Sequence, residues 1–487
     1  MKVLANRFGV LAVSALLLAL GACSSSDSND KDDTPPPVQT TGVLSVGTIT
    51  GFGSVYVDGV RYDTSGASVT MDDMSATEAQ LRVGQYVEVK GHAQGEQHHA
   101  DVIRYHNVLE GPITSIDTAA SSFVAMGQTI LVSSDTSLGD DIQPSSIEGL
   151  ALGDVVEVSG VVPLSGPIDA TRVDIKPDGG PYEVTGYVAD LDSVRHLFLI
   201  NDLVVDYSAA NMEDFPSGAP SDGDLVLVKG STFAPDGDFV ATEVELRSDD
   251  YLKPSPGDVV EVEGEISDFV SRTDFYVAGM HVTTTATTVY EHGAVTDLAN
   301  DVEVHVKGVV DAANLLVAHK IAFEVENTVR IVAQVQATDP YGGVTLLGFE
   351  VATDEFTRYE DDSALELREF DFGDIAVGDW LDVRAYEEPE GSNAVVATRI
   401  ERINAQEQVR LRGPFRDPAS PNFDILSILV TTSDATVFRL ENAEPPGDRL
   451  TREEFFSLAT GEIVEAWGLW SGAAVAADRV EIKVCDD

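Results

Sequence analysis

Histidine and carboxylate side chains are the groups whose types and spacing could do chemistry in this chain. His92, His98, His99 and His106 crowd into GHAQGEQHHA and the residues just after it, and imidazole nitrogens at that density can ligate a late transition metal. The same stretch reads as an exposed hairpin tip, where solvated polar residues are ordinary. Asp361 with Asp362, and Asp371 with Asp374, are candidates for calcium, but neither pair has the DxDxDG spacing that wraps oxygens around the ion. Loose cation attraction across the surface is therefore expected in place of a defined metal site, and no cofactor is expected. Phe52, Tyr56, Phe123, Phe198, Phe275, Tyr276 and Phe349 fall on or near opening strands. Most are expected in cores, leaving a minority to stack on sugar rings. There is no GxSxG elbow, HExxH helix, phosphate loop or pair of CxxC motifs, so no catalytic residue and no enzyme is expected.

Cys23 carries a different chemistry. Lys2 and Arg7 open the chain, an apolar run spans Val10 to Leu20, and Gly21 and Ala22 stand directly before Cys23. The order is that of a signal peptide over residues 1–23, and the apolar run is shorter than the roughly 20 residues a membrane-crossing helix needs. LGAC resembles the bacterial lipobox, which implies acylation of the Cys23 thiol, cleavage before it and acylation of the new amino terminus. Several acyl chains grip a bilayer far better than one, so the membrane is the first expected partner. Ser24, in place of Asp, points to the outer membrane. Residues 24–42, beginning SSSDSNDKDDTPPP, are poor in apolar groups and read as a disordered tether. Cys485 has no intramolecular partner once Cys23 is acylated.

Composition excludes one class of partner. Thirty basic residues stand against 83 acidic ones, a net charge of -53, and loss of the signal leaves -55. Phosphate backbones are held by Lys and Arg displacing counterions, and no basic stripe exists here, so nucleic acid is not an expected partner. The acidic load suits a soluble body in salt.

The elements that position these groups come from an internal repeat. An alanine with Ile or Val three residues on recurs at Ala100, Ala170, Ala241, Ala318, Ala397 and Ala477, at intervals of 70 to 80 residues. Before each lies an alternating stretch flanked by small residues seven apart, as in GDVVEVSG from Gly153, except that the fourth copy has Asp301 for the first of them and keeps Gly308; this is the period-two signature of a half-buried strand. A further glycine, or Ala333 in the fifth copy, opens each unit. Ser75 with Glu78, Ser145 with Glu148, Ser363 with Glu366, and Thr451 with Glu454 have capping-box spacing, predicting a short helix before the fourth strand of four units. MEDFPSGAPSDGD from Met212, broken by two prolines, is expected to be loop. Asp58-Gly59 between SVYV and VRY marks a tight antiparallel turn. The expected fold class is all-β: six tandem small antiparallel OB-like β-barrels, several with a short helix between strands three and four. A sandwich of the same strands is the alternative. The units are 43–106, 107–177, 178–250, 251–326, 327–405 and 406–487, with GDVVEVEG from Gly257 read as the opening strand of the fourth. Units of this size bury modest cores, so beads in a curved or extended row are expected, each stiffened by its neighbours.

GTITGFGSVYVDGVRYDTSGASV from Gly47, LRVGQYVEVKG from Leu81 and ADVI from Ala100 resemble the bacterial domain-of-unknown-function family numbered 5666. The resemblance implies tandem OB-like barrels in exported or lipid-anchored proteins and brings no catalytic residue. The expected function is a lipid-anchored cell-envelope protein that binds or scaffolds an envelope protein or glycan. A hydrolytic or metal-dependent enzyme with its site between units is the alternative, and a pocket there lined by facing carboxylates or histidines would favour it. A structural spacer is the third reading.

Overall fold

Alternation becomes strand wherever the small-residue marks predict it. The structure is a computed structural model that describes residues 40–483 apart from 96, 134, 177–179, 248–252, 390 and 442–448. Cys23, the tether up to Gln39 and Cys485 lie outside the described residues. Among the described residues no helix is long and apolar enough to cross a membrane, and the α-helix Arg452–Leu458 is the one α-helix.

Residues 327–405 display the unit. Strand Val329–Asp339 pairs antiparallel with Gly343–Leu346, which pairs with Phe349–Asp361. The third strand runs parallel to Val395–Ile403, which pairs antiparallel with Trp380–Glu387, and that strand returns to the first. The ring closes in the order 1-2-3-5-4, so the sheet is a barrel and not a sandwich. The same ring of pairings recurs elsewhere. In 43–106, for example, Thr41–Phe52 pairs with Val55–Val57 and Tyr86–Gln94, and Val60–Asp63 runs parallel to Gln97–Tyr105. Strand Val259–Ser271 opens such a ring, pairing with Asp274–Val277 and Glu303–Val310.

The recurrent alanine and glycine have one physical cause. Gly91 faces Ala100, Gly160 faces Ala170, Gly308 faces Ala318 and Gly468 faces Ala477, each beside a break in register. At that bulge the strands approach so closely that a Cβ on Gly91 would lie 1.9 Å from the His99 carbonyl oxygen, and one on Gly468 would lie 2.0 Å from that of Ala476. At these positions only glycine fits, and the fifth barrel, where Ala385 faces Ala397, accommodates one methyl at the same break in register. A hydroxyl then ties the crossover down: Thr136, Thr288, Thr357 and Thr436 each donate to the carbonyl of the facing alanine at 2.7 Å.

The expected helices are partly displaced. Thr451 accepts from the Glu454 amide, and the Glu454 carboxylate accepts from the Thr451 amide at 2.8 Å, as the spacing predicts. Ser75 instead sits in the strand Met74–Ala76, and the short turn Glu78–Gln80 is boxed by Thr77 and Gln80. Ser146 precedes the turn Ile147–Gly149 without a side-chain cap bond. In the fifth unit Glu366 takes a positive φ of 48°, which a continuing helix does not accept. The helical turn there is Phe372–Asp374, boxed by Asp371 and Asp374.

The barrels do not form a row. Val43–Val46 runs parallel to Val259–Val262, joining the first barrel to the fourth. Leu109 and Glu110 pair with Val184 and Glu183, and Arg330–Val332 pairs with Arg410–Arg412. The second and third barrels share one hydrophobic core, as do the fifth and sixth. The fifth barrel also reaches back: Arg399 donates to the Thr136 carbonyl at 3.0 Å, and the Arg368 guanidinium lies 3.8 Å from the Phe52 ring centre. The reason lies on the outer faces of the strands. Val155–Gly160 is buried at every residue, because outward Glu157 accepts from the Tyr105 hydroxyl at 2.9 Å and outward Ser159 accepts from the Tyr86 amide at 2.8 Å. Alternation that reads as core and solvent is here core and interface.

Candidate functional site

The outer face of the fourth barrel supplies most of a cleft. On strand Val259–Ser271, Glu261 and Glu263 alternate with core valines; on the adjacent strand, Glu303 and His305 alternate with Val304 and Val306. Register places Glu263 beside His305 and Glu265 beside Glu303. Glu324 follows the strand Leu316–Phe323, its amide bonded to the Glu303 carbonyl. The fifth barrel closes over this face with Asp354, Phe356 and Arg358 from one strand and Tyr386 from another, while Asp135 arrives from the second barrel. The cavity measures about 140 Å³.

Its electrostatics are one-sided. Burial, a hydrogen bond with Glu324 and the Glu324 charge push the Glu303 carboxyl up to about 11. Glu324 is itself raised by burial, so the two hold one proton between them. Burial and the Glu263 charge likewise raise Asp58, behind the cleft. Glu263 accepts from the amide and hydroxyl of Thr48, both at 3.0 Å. Arg358 offers the one guanidinium in the lining, 4.0 Å from Glu263 and donating to the Asp135 carbonyl at 3.2 Å. His305 is held neutral by burial. Neither ring nitrogen makes a hydrogen bond among the described residues, and Nε2 stands 3.8 Å from Glu261 and 3.9 Å from Asp58. Leaving a buried polar group unpaired costs about 1–3 kcal/mol, and this imidazole, on the cavity wall, bears that cost with its Nε2 nearest two carboxylates outside the lining.

The groups singled out from sequence lie elsewhere. His92 and His99 stack at 5.2 Å and face Asp101 and Asp63 at 3.3 and 3.5 Å. His98 leans on Tyr62. His106 stands apart beside Arg247, lowered to about 4 by burial and the Arg247 charge. Among the described residues no group of three or more His, Cys, Asp or Glu is placed to hold a metal ion. Asp361 is bound by Arg402, and Asp371 and Asp374 are the capping box. Phe123, Phe198 and Phe275 are core, Phe349 is buried, Phe52 lies under Arg368, and Tyr276 stacks on His281 at 4.5 Å; none of these, nor half-buried Tyr56, lines the cleft. The signal that could have found the site is the run EVEGE from Glu261 to Glu265, whose outward positions are all acidic, set against EVH from Glu303.

The family described as a domain of unknown function (DUF5666) matches residues 43–100, 110–174, 263–322, 332–401 and 417–481. The chain belongs to this family. Its members' domain thus repeats in tandem here, and the unmatched stretch between 174 and 263 carries the same ring of pairings, with Leu203–Asp206 parallel to Phe239–Leu246. No curated protein matches the chain. A solved structure of a multidomain protein with nucleic acid binding domains from Streptococcus pneumoniae is similar over 44% of this chain and 72% of its own, at 11% identity and a TM-score of 0.13. That likeness carries no argument.

Proposed function

We propose that this protein is a lipid-anchored binding protein of the bacterial cell envelope, tethered through Cys23 at the outer membrane, and that the cleft between the second, fourth and fifth barrels holds its ligand. The observation that carries the reading is His305, a buried imidazole without a hydrogen-bond partner among acidic walls. Binding is favoured over catalysis because the Thr398 hydroxyl is shared between the Asn327 side chain at 2.8 Å and the Asp135 carboxylate at 3.3 Å, and neither ring nitrogen of His305 bonds to it. The cleft weighs against a mere spacer. Envelope proteins or glycans remain the natural presenters of such a ligand.

The anchor is tested by expressing the full chain in a bacterium with labelled palmitate. The wild type should take up label and sediment with outer membrane, and Cys23→Ala should lose the label and leave the membrane fraction; a labelled or membrane-bound Cys23→Ala would sink the anchor.

An acid–base hydrolase using the same cleft is a second reading, favoured by the proton-sharing pair Glu303 and Glu324. Turnover of a glycoside or ester substrate that Glu303→Gln abolishes would establish it.

A further inference from the structure

We propose that the cleft takes a small organic ammonium, its charge facing Glu263 and the Glu303–Glu324 pair and its alkyl part against Phe356 and Tyr386. The inference rests on the binding role of the cleft and names the ligand's chemistry.

Three observations combine. First, the lining is acidic on every side, with five carboxyl groups against the single guanidinium of Arg358. A neutral or anionic guest would meet repulsion or unpaired acceptors there, whereas a cation neutralises them. Second, His305 lines the cavity with 11% of its side chain exposed, is kept neutral by burial, and has no hydrogen bond on either nitrogen among the described residues. A neutral imidazole always presents one bare nitrogen lone pair, and an ammonium N–H is a donor for it. Third, Phe323, Phe356 and Tyr386 interleave with the carboxyls, so the rings can pack the alkyl part and add attraction for the ammonium beside them, while offering nothing to the hydration shell of a metal ion. No group of three ligands converges on a metal position among the described residues.

The chain already makes this contact on itself. The Lys320 ammonium sits 5.0 Å from the centre of the Phe356 ring, with Glu291 at 3.1 Å and Glu355 at 3.4 Å. An alkylammonium entering the cleft would find the same combination of ring and carboxylates deeper in. Size limits the guest: a cavity of roughly 150 Å³ accommodates a six-carbon ring, so about 140 Å³ suits an amine of a few carbons.

Isothermal titration of the full chain in detergent micelles, with butylamine as probe and butanol as its neutral twin, tests the proposal. Butylamine should bind at least tenfold more tightly than butanol. Glu263→Gln and Glu324→Gln, which keep shape and hydrogen-bonding capacity, should each lose tenfold or more of that affinity while their melting curves stay cooperative. Equal binding of amine and alcohol, or binding of calcium or zinc without butylamine, overturns the ammonium and leaves the cleft as a ligand site. Binding that neither substitution weakens, or no binding of any probe, overturns both.

Discussion

Two interfaces of this molecule bury the same outer-face acids and treat them oppositely. Where the fifth and sixth barrels share a sheet, nearly every buried carboxylate has a guanidinium. Asp382 lies between Arg330 and Arg384, Glu465 meets Arg410, and Glu387 is gripped by both Nη2 contacts of Arg416 at 2.7 and 2.9 Å. Burial would raise Asp382 and Glu465, yet the adjacent arginines hold both below the usual carboxylate range. At the cleft, burial acts on Glu303, Glu324 and Asp58 with one arginine nearby, and all three rise. A carboxylate ladder supplied with planar, permanently charged forks becomes a joint; the same ladder left without them keeps protons and space for a cation.

The sharpest way to test what a fork contributes is to remove one, here a fork inside the fifth barrel between its third and fifth strands. Arg402 holds Asp361 through two of its nitrogens, one at 2.8 Å, and with amides of Ser363 and Leu367 it outweighs burial to keep that carboxyl at about 2. Arg402→Met should cost about 3–5 kcal/mol, the penalty for stranding one partner of a buried pair, measured by denaturant unfolding. A loss under about 1 kcal/mol would mean the forks are ornament. On the cleft side, Thr48→Val removes one hydroxyl donor from Glu263 and leaves the amide; the expected cost is about 1–2 kcal/mol. Tyr341, fully exposed at a hairpin tip, belongs to neither region, and Tyr341→Ser should stay within about 0.5 kcal/mol.

Much of the barrel was legible because its marks answer to close contacts inside one unit. The glycine at Gly91 and the alanine at Ala100 exist for a bulge that would bring backbone within 2 Å of a Cβ added at Gly91, and such a constraint leaves glycine, or Ala385 in the fifth copy, at the same place in each unit. The threonine that anchors the crossover at Thr136 or Thr436 was equally local and equally recurrent, but a lone hydroxyl among many carries no periodic signal. Capping boxes were half legible: Thr451 and Glu454 held, while Ser363 and Glu366 had the spacing without the backbone, and Asp371 with Asp374 formed the box while resembling a calcium pair. The cleft was not legible. Glu263, Glu303 and His305 occupy the outward positions of their strands, which period-two alternation assigns to solvent, and only the return of the fifth barrel across the fourth turns them inward. Pairing of the first barrel with the fourth is invisible for the same reason: no local pattern says which free edge a strand such as Thr41–Phe52 will meet.

The pH dependence of folding tests the central contrast most directly. Glu303 keeps its proton to about pH 11 in the fold, against an ordinary value of 4.5. Between those limits this site binds a proton in the fold that the unfolded chain has lost, so its contribution to stability is complete below pH 4.5 and is lost as pH rises through the window. Denaturant unfolding of the full chain at pH 5, 7 and 9 should show that decline, and Glu303→Gln, which cannot lose the proton, should flatten it by about 1 kcal/mol per pH unit. Superimposable slopes for the two proteins would contradict the account, for the cleft would then hold its carboxylates as comfortably as the arginine-lined joint does.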